Sequence, residues 1–227
     1  MQFVKQHFFE GIVTATLPRK HLARAKQLPS PQRLSDGLPS EPICRITVEQ
    51  YHEMIRAGII DSADPIELLE GWLVRKMPKN PPHVVSGKRL RKVFDKIIPR
   101  GWEIRSQDPI TLADSEPEPD VAIVVDHEHE YLSHHPKPGD VGLLIEVADS
   151  SLPRDRGSKK TVYARAKIAC YWIVNLSEAT IEVFTDPAGS SKGPVYRGHQ
   201  VFTAKQRVPV ILGGKKVGSV LVSDCLP

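Results

Sequence analysis

Apolar and polar positions along the chain fall into a series of short blocks. Val141-Gly142-Leu143-Leu144-Ile145-Glu146-Val147-Ala148 is apolar at every position but one, the reading of a strand buried on both faces. The run after Asp120, Val121 to Val125, reads the same way, and Trp102 to Arg105 and Pro109 to Leu112 are shorter strand candidates before it. Tyr171 to Val174 and Ile181 to Phe184 predict two further strands, joined by a turn around Asn175 to Ala179. Strands near Val208 to Leu212 and Val217 to Val222 complete the chain. Helical spacing appears in three places. Thr47-Val48-Glu49-Gln50 has the form of a capping box, and Gly58 is placed to stop that helix. Pro81 and Pro82 open a second helix, given an apolar face by Val84, Leu90, Val93, Phe94 and Ile97 as far as Ile98. Gly157 to Lys167 predicts a third, with Val162, Tyr163 and Ala166 facing inward. Between the first two, Ile66 to Leu69 and Trp72 to Met77 flank Glu70-Gly71 as a hairpin. The order predicts an α/β domain with a mixed central β-sheet flanked by helices.

Residues 1 to 43 break this pattern. Prolines stand at 18, 29, 31, 39 and 42 and no period is sustained, so a loosely ordered or disordered N-terminal extension is expected, with one domain over residues 44–227. Charge divides at the same point. Six Lys or Arg against three acidic residues give the first 43 residues +3 of the net +4, which leaves about +1 for the domain. Global charge is therefore a weak argument for a nucleic-acid partner. No apolar run approaches the roughly 20 residues needed to span a bilayer, so no membrane partner is expected. Cys44, Cys170 and Cys225 have no metal-ligand spacing and form no even-numbered framework, which suits a reducing, cytoplasmic setting.

The candidate chemistry lies in the polar residues that interrupt apolar blocks. Glu146 sits inside a buried strand, where an isolated charge costs several kcal/mol unless it is paired or holds a metal. A structural ion pair to Lys159 is one account of it. The other is that Asp120, Glu146 and the carbonyl of Val147 hold Mg²⁺ (or Mn²⁺ in its stead), with Lys159 beside them. An Asp, a Glu and a Lys on adjacent core elements are the parts of a metal-dependent phosphodiesterase. Glu67, in Pro65-Ile66-Glu67-Leu68-Leu69, is a further acidic candidate, whereas Glu70-Gly71 reads as a plain turn. His83 at the helix start is either a cap or solvent residue, or a catalytic or phosphate-contacting group. Lys88, Arg91 and Lys92 are either a solvated helix surface or contacts to phosphates, and Gln107 is a slighter candidate for the same cleft.

Several motifs, in order, resemble one family. Ile66-Glu67-Leu68-Leu69-Glu70-Gly71, Pro117-Glu118-Pro119-Asp120-Val121, the stretch from Glu146 to Lys159, Tyr163-Ala164-Arg165-Ala166 and Tyr171-Trp172-Ile173-Val174-Asn175 are similar to the signature of the Uma-type restriction endonucleases of the PD-(D/E)XK nuclease superfamily. The resemblance runs from about Ile46 to the C-terminus. It implies a restriction-endonuclease-like fold, DNA as partner, and Asp120 and Glu146 as metal ligands. The superfamily lysine usually lies two residues after the acidic residue, where this chain has Ala148; a lysine moved onto the following helix matches Lys159 better than Lys160. Lys167-Ile168-Ala169-Cys170 departs from the family's usual turn. The activity expected is Mg²⁺-dependent hydrolysis of DNA phosphodiesters. A non-catalytic nucleic-acid-binding relative and a metal-dependent RNA nuclease or phosphate-ester hydrolase stand as alternatives, and a homodimer is a further expectation.

Overall fold

The computed structural model describes residues 43–61, 63–127, 130–190 and 193–227. Apart from Ile43, the expected N-terminal extension lies outside the described residues. Helix α1 (Val48–Arg56) begins at a complete capping box: the Thr47 hydroxyl accepts from Gln50 N–H, and the Gln50 side chain accepts from Thr47 N–H. Gly58, at φ +66°, follows its C-cap in the left-handed conformation that glycine adopts at no steric cost. Strands β1 (Ile66–Leu69) and β2 (Trp72–Arg75) form the expected hairpin. Glu70 and Gly71 both have positive φ, the geometry of a two-residue turn that matches strand twist. Helix α2 (Pro81–Phe94) is capped by Asn80, whose side chain accepts from His83 N–H.

The main sheet has six strands in the order β3 (Trp102–Arg105), β4 (Val121–Val125), β5 (Val141–Ala148), β6 (Cys170–Asn175), β7 (Thr180–Ala188) and β8 (Val195–Thr203). Only β5 and β6 run parallel. A parallel pair needs a crossover, supplied by α3 (Leu152–Arg154), a π-helical turn (Asp155–Lys159) and α4 (Lys160–Arg165). A hairpin of β9 (Arg207–Leu212) and β10 (Lys215–Leu221) and the short α5 (Val222–Cys225) end the chain. The architecture is the mixed α/β sheet that the element order predicted.

Strand alternation assigns the two faces. Odd-numbered Ile123, Leu143, Ile145 and Val147 pack with Leu90 and Phe94 of α2 and with Val208 and Val210 of β9. Even-numbered Ala122, Val124, Leu144 and Ala148 pack with Val162 and Tyr163 of α4. Glu146 therefore belongs to the α4 face.

Three local readings are corrected. Pro109 to Leu112 is not a strand: Ile110 N–H donates to Pro117 O and Leu112 N–H to Ser115 O, so the segment bonds to its own return while both side chains stay buried. The helix expected from Gly157 begins earlier, at Leu152, with Gly157 inside its π turn. Strand β8 went unread because Val195-Tyr196-Arg197-Gly198-His199 alternates across an exposed sheet edge, where few positions need be apolar.

Candidate active site

The register that pairs Val121 with Ile145 places Asp120, one residue before β4, opposite Glu146 and on the same face. The two acidic residues meet because one strand ends where its neighbour continues. Asp120 Oδ2 accepts the Val147 N–H at 2.9 Å, a donor that β4 is too short to satisfy. The N–H and C=O of one strand residue emerge on the same edge, so the Val147 carbonyl also faces Asp120.

Lys159 is buried, at 2% exposure, and its ammonium donates to Glu146 Oε1 at 2.8 Å with Glu67 Oε2 at 3.6 Å. Tyr163 Oη donates to the same Glu146 oxygen at 2.8 Å, which leaves Oε2 without a hydrogen-bond donor among the described residues. Lys160 does not point freely outward: its ammonium lies 5.2 Å from the centre of the Phe184 ring. Glu67 comes from β1, outside the main sheet. The Glu118 N–H reaches its Oε2 at 3.2 Å, and Arg154 approaches Oε1 at 3.5 Å without forming a hydrogen bond.

These groups line one open cleft of about 50 Å³, room for a small cation and a few waters. Asp120, Glu146, Val147, Lys159, Glu67 and His83 all belong to it. His83 acts as neither a lone cap nor a solvent residue: its Nε2 is 3.0 Å from Asp120 Oδ2. Lys88, Arg91 and Gln107 line an adjoining groove of about 220 Å³ that shares His83 and Asp120 with the cleft. Lys92 lines neither, since it stands about 100° round the helix from Arg91.

Burial pushes the Glu146 carboxyl up, to about 7, against the pull of Lys159; Asp120 and Asp155 add to the rise. Burial works against the Lys159 charge, but Glu146 and Glu67 outweigh it and hold the ammonium protonated above the usual lysine range. Burial also raises Asp120, yet its bonds to His83 and the Val147 N–H, with Lys79 at 3.7 Å, leave it lowered and ionised. The site is a knot of carboxylates held by protein cations.

The donor set suits a hard divalent cation. It is all oxygen, it includes the unbonded and buried Glu67 Oε1, and Mg²⁺ keeps several waters rather than demanding a full protein cage. Among the described residues no three His, Cys, Asp or Glu side chains form a metal-holding group by themselves, so the Val147 carbonyl and waters would complete any coordination.

Sequence reasoning passed over Lys79, Arg154, Asp155 and Tyr163 as polar members of this site. Arg154 and Asp155 stand inside the quoted signature stretch, and Tyr163 was assigned only a packing role. Lys79 has no signal beyond its place before the Asn80 cap.

A profile of the Uma2 family, described as "Putative restriction endonuclease", matches residues 48–212. The chain belongs to the Uma2 family. No curated protein matches it. Among solved structures it is similar to "a putative nuclease belonging to DUF820" from Anabaena variabilis, at 15% identity and a TM-score of 0.57 over 79% of this chain and 97% of that one. At that identity the likeness concerns the fold alone. In this Uma2 chain Ala148 is buried in the even-numbered face, and the ammonium beside Glu146 comes from the π turn of the crossover. Among the described residues no helix is long and apolar enough to cross a membrane.

Proposed function

We propose that this Uma2 protein is an endonuclease that hydrolyses phosphodiester bonds of DNA with Mg²⁺, or Mn²⁺ in its place. One observation carries the reading: Asp120, Glu146 and Glu67, from three separate strands or strand ends, converge with Lys159 in one cleft. The family description supports it. Asp120, Glu146 and the Val147 carbonyl would hold the metal, which when bound supplies positive charge to the reacting phosphate.

The chain's own residues have distinct tasks. In the metal-free site Glu146 and Glu67 hold Lys159 protonated, and the role assigned to it is electrostatic: it offsets charge that builds on the phosphoryl oxygens. Tyr163 fixes the Glu146 side chain through Oε1. Glu67, with Oε2 at 3.6 Å, is a second carboxylate beside the Lys159 ammonium and adds to the charge that holds it. His83 positions Asp120. The groove of Lys88, Arg91 and Gln107 adjoins the cleft along α2. At 1.5 Å per residue, His83 to Arg91 spans roughly 12 Å, the length of about three to four nucleotide steps of one strand. Its cations suit phosphates and carry no base information.

The test incubates purified protein with supercoiled plasmid, single-stranded DNA and RNA, each with Mg²⁺, Mn²⁺ or EDTA. Metal-dependent nicking of DNA, abolished by EDTA, is expected. Cleavage of RNA alone would reassign the substrate, and inertness toward all three with either metal would overturn the nuclease reading.

A further inference from the structure

A second cavity, of about 320 Å³, adjoins the cleft and differs from it in character. Its apolar walls are Tyr51, Ile55 and Ile60 from α1 and the loop after it, Ile66 of β1, and Pro109, and polar side chains line the rest. Lys76 and Glu118 line both this cavity and the candidate active site, and Gln107 lines both this cavity and the basic groove. A strand lying along groove and cleft therefore passes the mouth of the cavity.

The polar groups say what would enter. Glu116 is buried, at 2% exposure, and is held by His52 at 2.8 Å and by the Thr111 hydroxyl at 2.8 Å. Glu118, at the mouth, accepts from Lys76 Nζ at 2.6 Å through Oε1, and its Oε2 has no partner among the described residues. Asp61 and Asp64 also line the cavity, each accepting a backbone N–H of its own loop, from Ala63 and Asp61 respectively, so four carboxylates border the space and repel a phosphate. They suit a flat group with apolar faces and N–H donors on its edge. Small-molecule pockets of this size commonly combine apolar walls with a few convergent polar groups.

Guanine fits best among the nucleobases. Its N1–H and N2–H lie side by side, so one carboxylate can take both, and its O6 acceptor is next in line, where an ammonium beside that carboxylate can donate. The Glu118–Lys76 pair presents that acceptor and donor together. Adenine and cytosine each offer an amino donor with an acceptor beside it, and thymine flanks its single N–H with two carbonyls that a carboxylate repels.

We propose that this cavity receives a guanine base of the substrate strand, unstacked beside the scissile phosphate, and that cleavage accordingly favours guanine at one position next to the cut. The base's role rests on the nuclease reading above; the pocket's chemistry does not. Unstacking costs least in single strands, so the preference is sharpest there.

The test has a binding arm and a cleavage arm, both on the full chain. Deoxyguanosine titrated into the protein by calorimetry should bind saturably, with deoxyadenosine, deoxycytidine and thymidine each about tenfold weaker or more. Ile55→Trp, at a half-exposed position of the wall, should fill the cavity and abolish binding at unchanged melting temperature. Glu118→Gln should weaken deoxyguanosine about tenfold. Absent or base-indifferent binding, or binding unaffected by both variants, overturns the pocket whatever the nuclease assay shows. If deoxyguanosine binds but no nucleic acid is cut, the pocket stands and the nuclease reading falls. If DNA is cut with no preference for guanine beside the break, the link between pocket and cleavage is overturned.

Discussion

Two buried carboxylates sit in one row of the sheet and have different fates. Ile173 of β6 pairs with Glu146 of β5 on one side and with Glu182 of β7 on the other, so the two acids flank it on the same face. Both interrupt an apolar strand, and both are almost wholly buried. Glu182 is saturated: Arg156 grips it with three contacts of 2.7–3.1 Å, and Asn175 and His199 stand at 3.4 and 3.6 Å. Glu146 has one lysine and one tyrosine, both on Oε1, beside Asp120 and an open cleft. An acid in a greasy strand is thus ambiguous by itself. What separates an ion pair from a candidate metal ligand is whether the donors around it use up its oxygens.

The largest expected contrast is in cleavage. Asp120→Ala and Glu146→Ala should each abolish it, whereas Glu182→Gln should leave the rate per folded molecule within a few-fold of wild type; equal losses at 146 and 182 would erase the distinction. Next comes the cation. Lys159→Ala should cost roughly 10²–10³ in kcat while metal binding, followed by calorimetry, persists, and Lys160→Ala should stay close to wild type. The reverse order would move the site by one residue along the π turn.

The contrast then inverts for stability. Arg156→Ala strands the buried Glu182 charge and should cost about 2–3 kcal/mol in chemical denaturation, less than for a fully buried pair because Arg156 is partly exposed. Cleavage per folded molecule should not change. A smaller and subtler effect concerns pH. Glu146 is raised from the usual 4.5 to about 7 in the folded protein, chiefly by burial, so between those values the folded state keeps a proton that the unfolded chain has lost. Stability of the metal-free protein should therefore fall as pH rises from about 4.5 to about 7, by on the order of 2 kcal/mol. Glu146→Gln should flatten that slope in thermal melts at several pH values, and a slope unchanged by the substitution would assign it to another group.

What the chain determined by itself is local. Apolar runs marked β4, β5, β6 and β7, because strands covered on both faces must be apolar at nearly every position. The Thr47 capping box and the Glu70-Gly71 turn marked their elements because their backbone geometry depends on those residues. The edge strand β8 escaped because exposure relaxes the pattern, and Pro109 to Leu112 misled because burial of side chains does not specify which backbone they pair with. At the site, Asp120, Glu146 and Lys159 were legible as charges placed where burial penalises them. Tertiary structure alone decided that Glu146 remains open while Glu182 is closed, that Arg154 lines the cleft while Tyr163 bonds Glu146 from the core, that Lys92 turns away from the groove, and that Lys76 and Glu118 form a wall between two cavities. Those outcomes depend on register between strands and on the rotation of a helix through its π turn. Contacts such as those of Lys159 with Glu146, 13 positions away, and with Glu67, 92 positions away, leave no mark in any one segment.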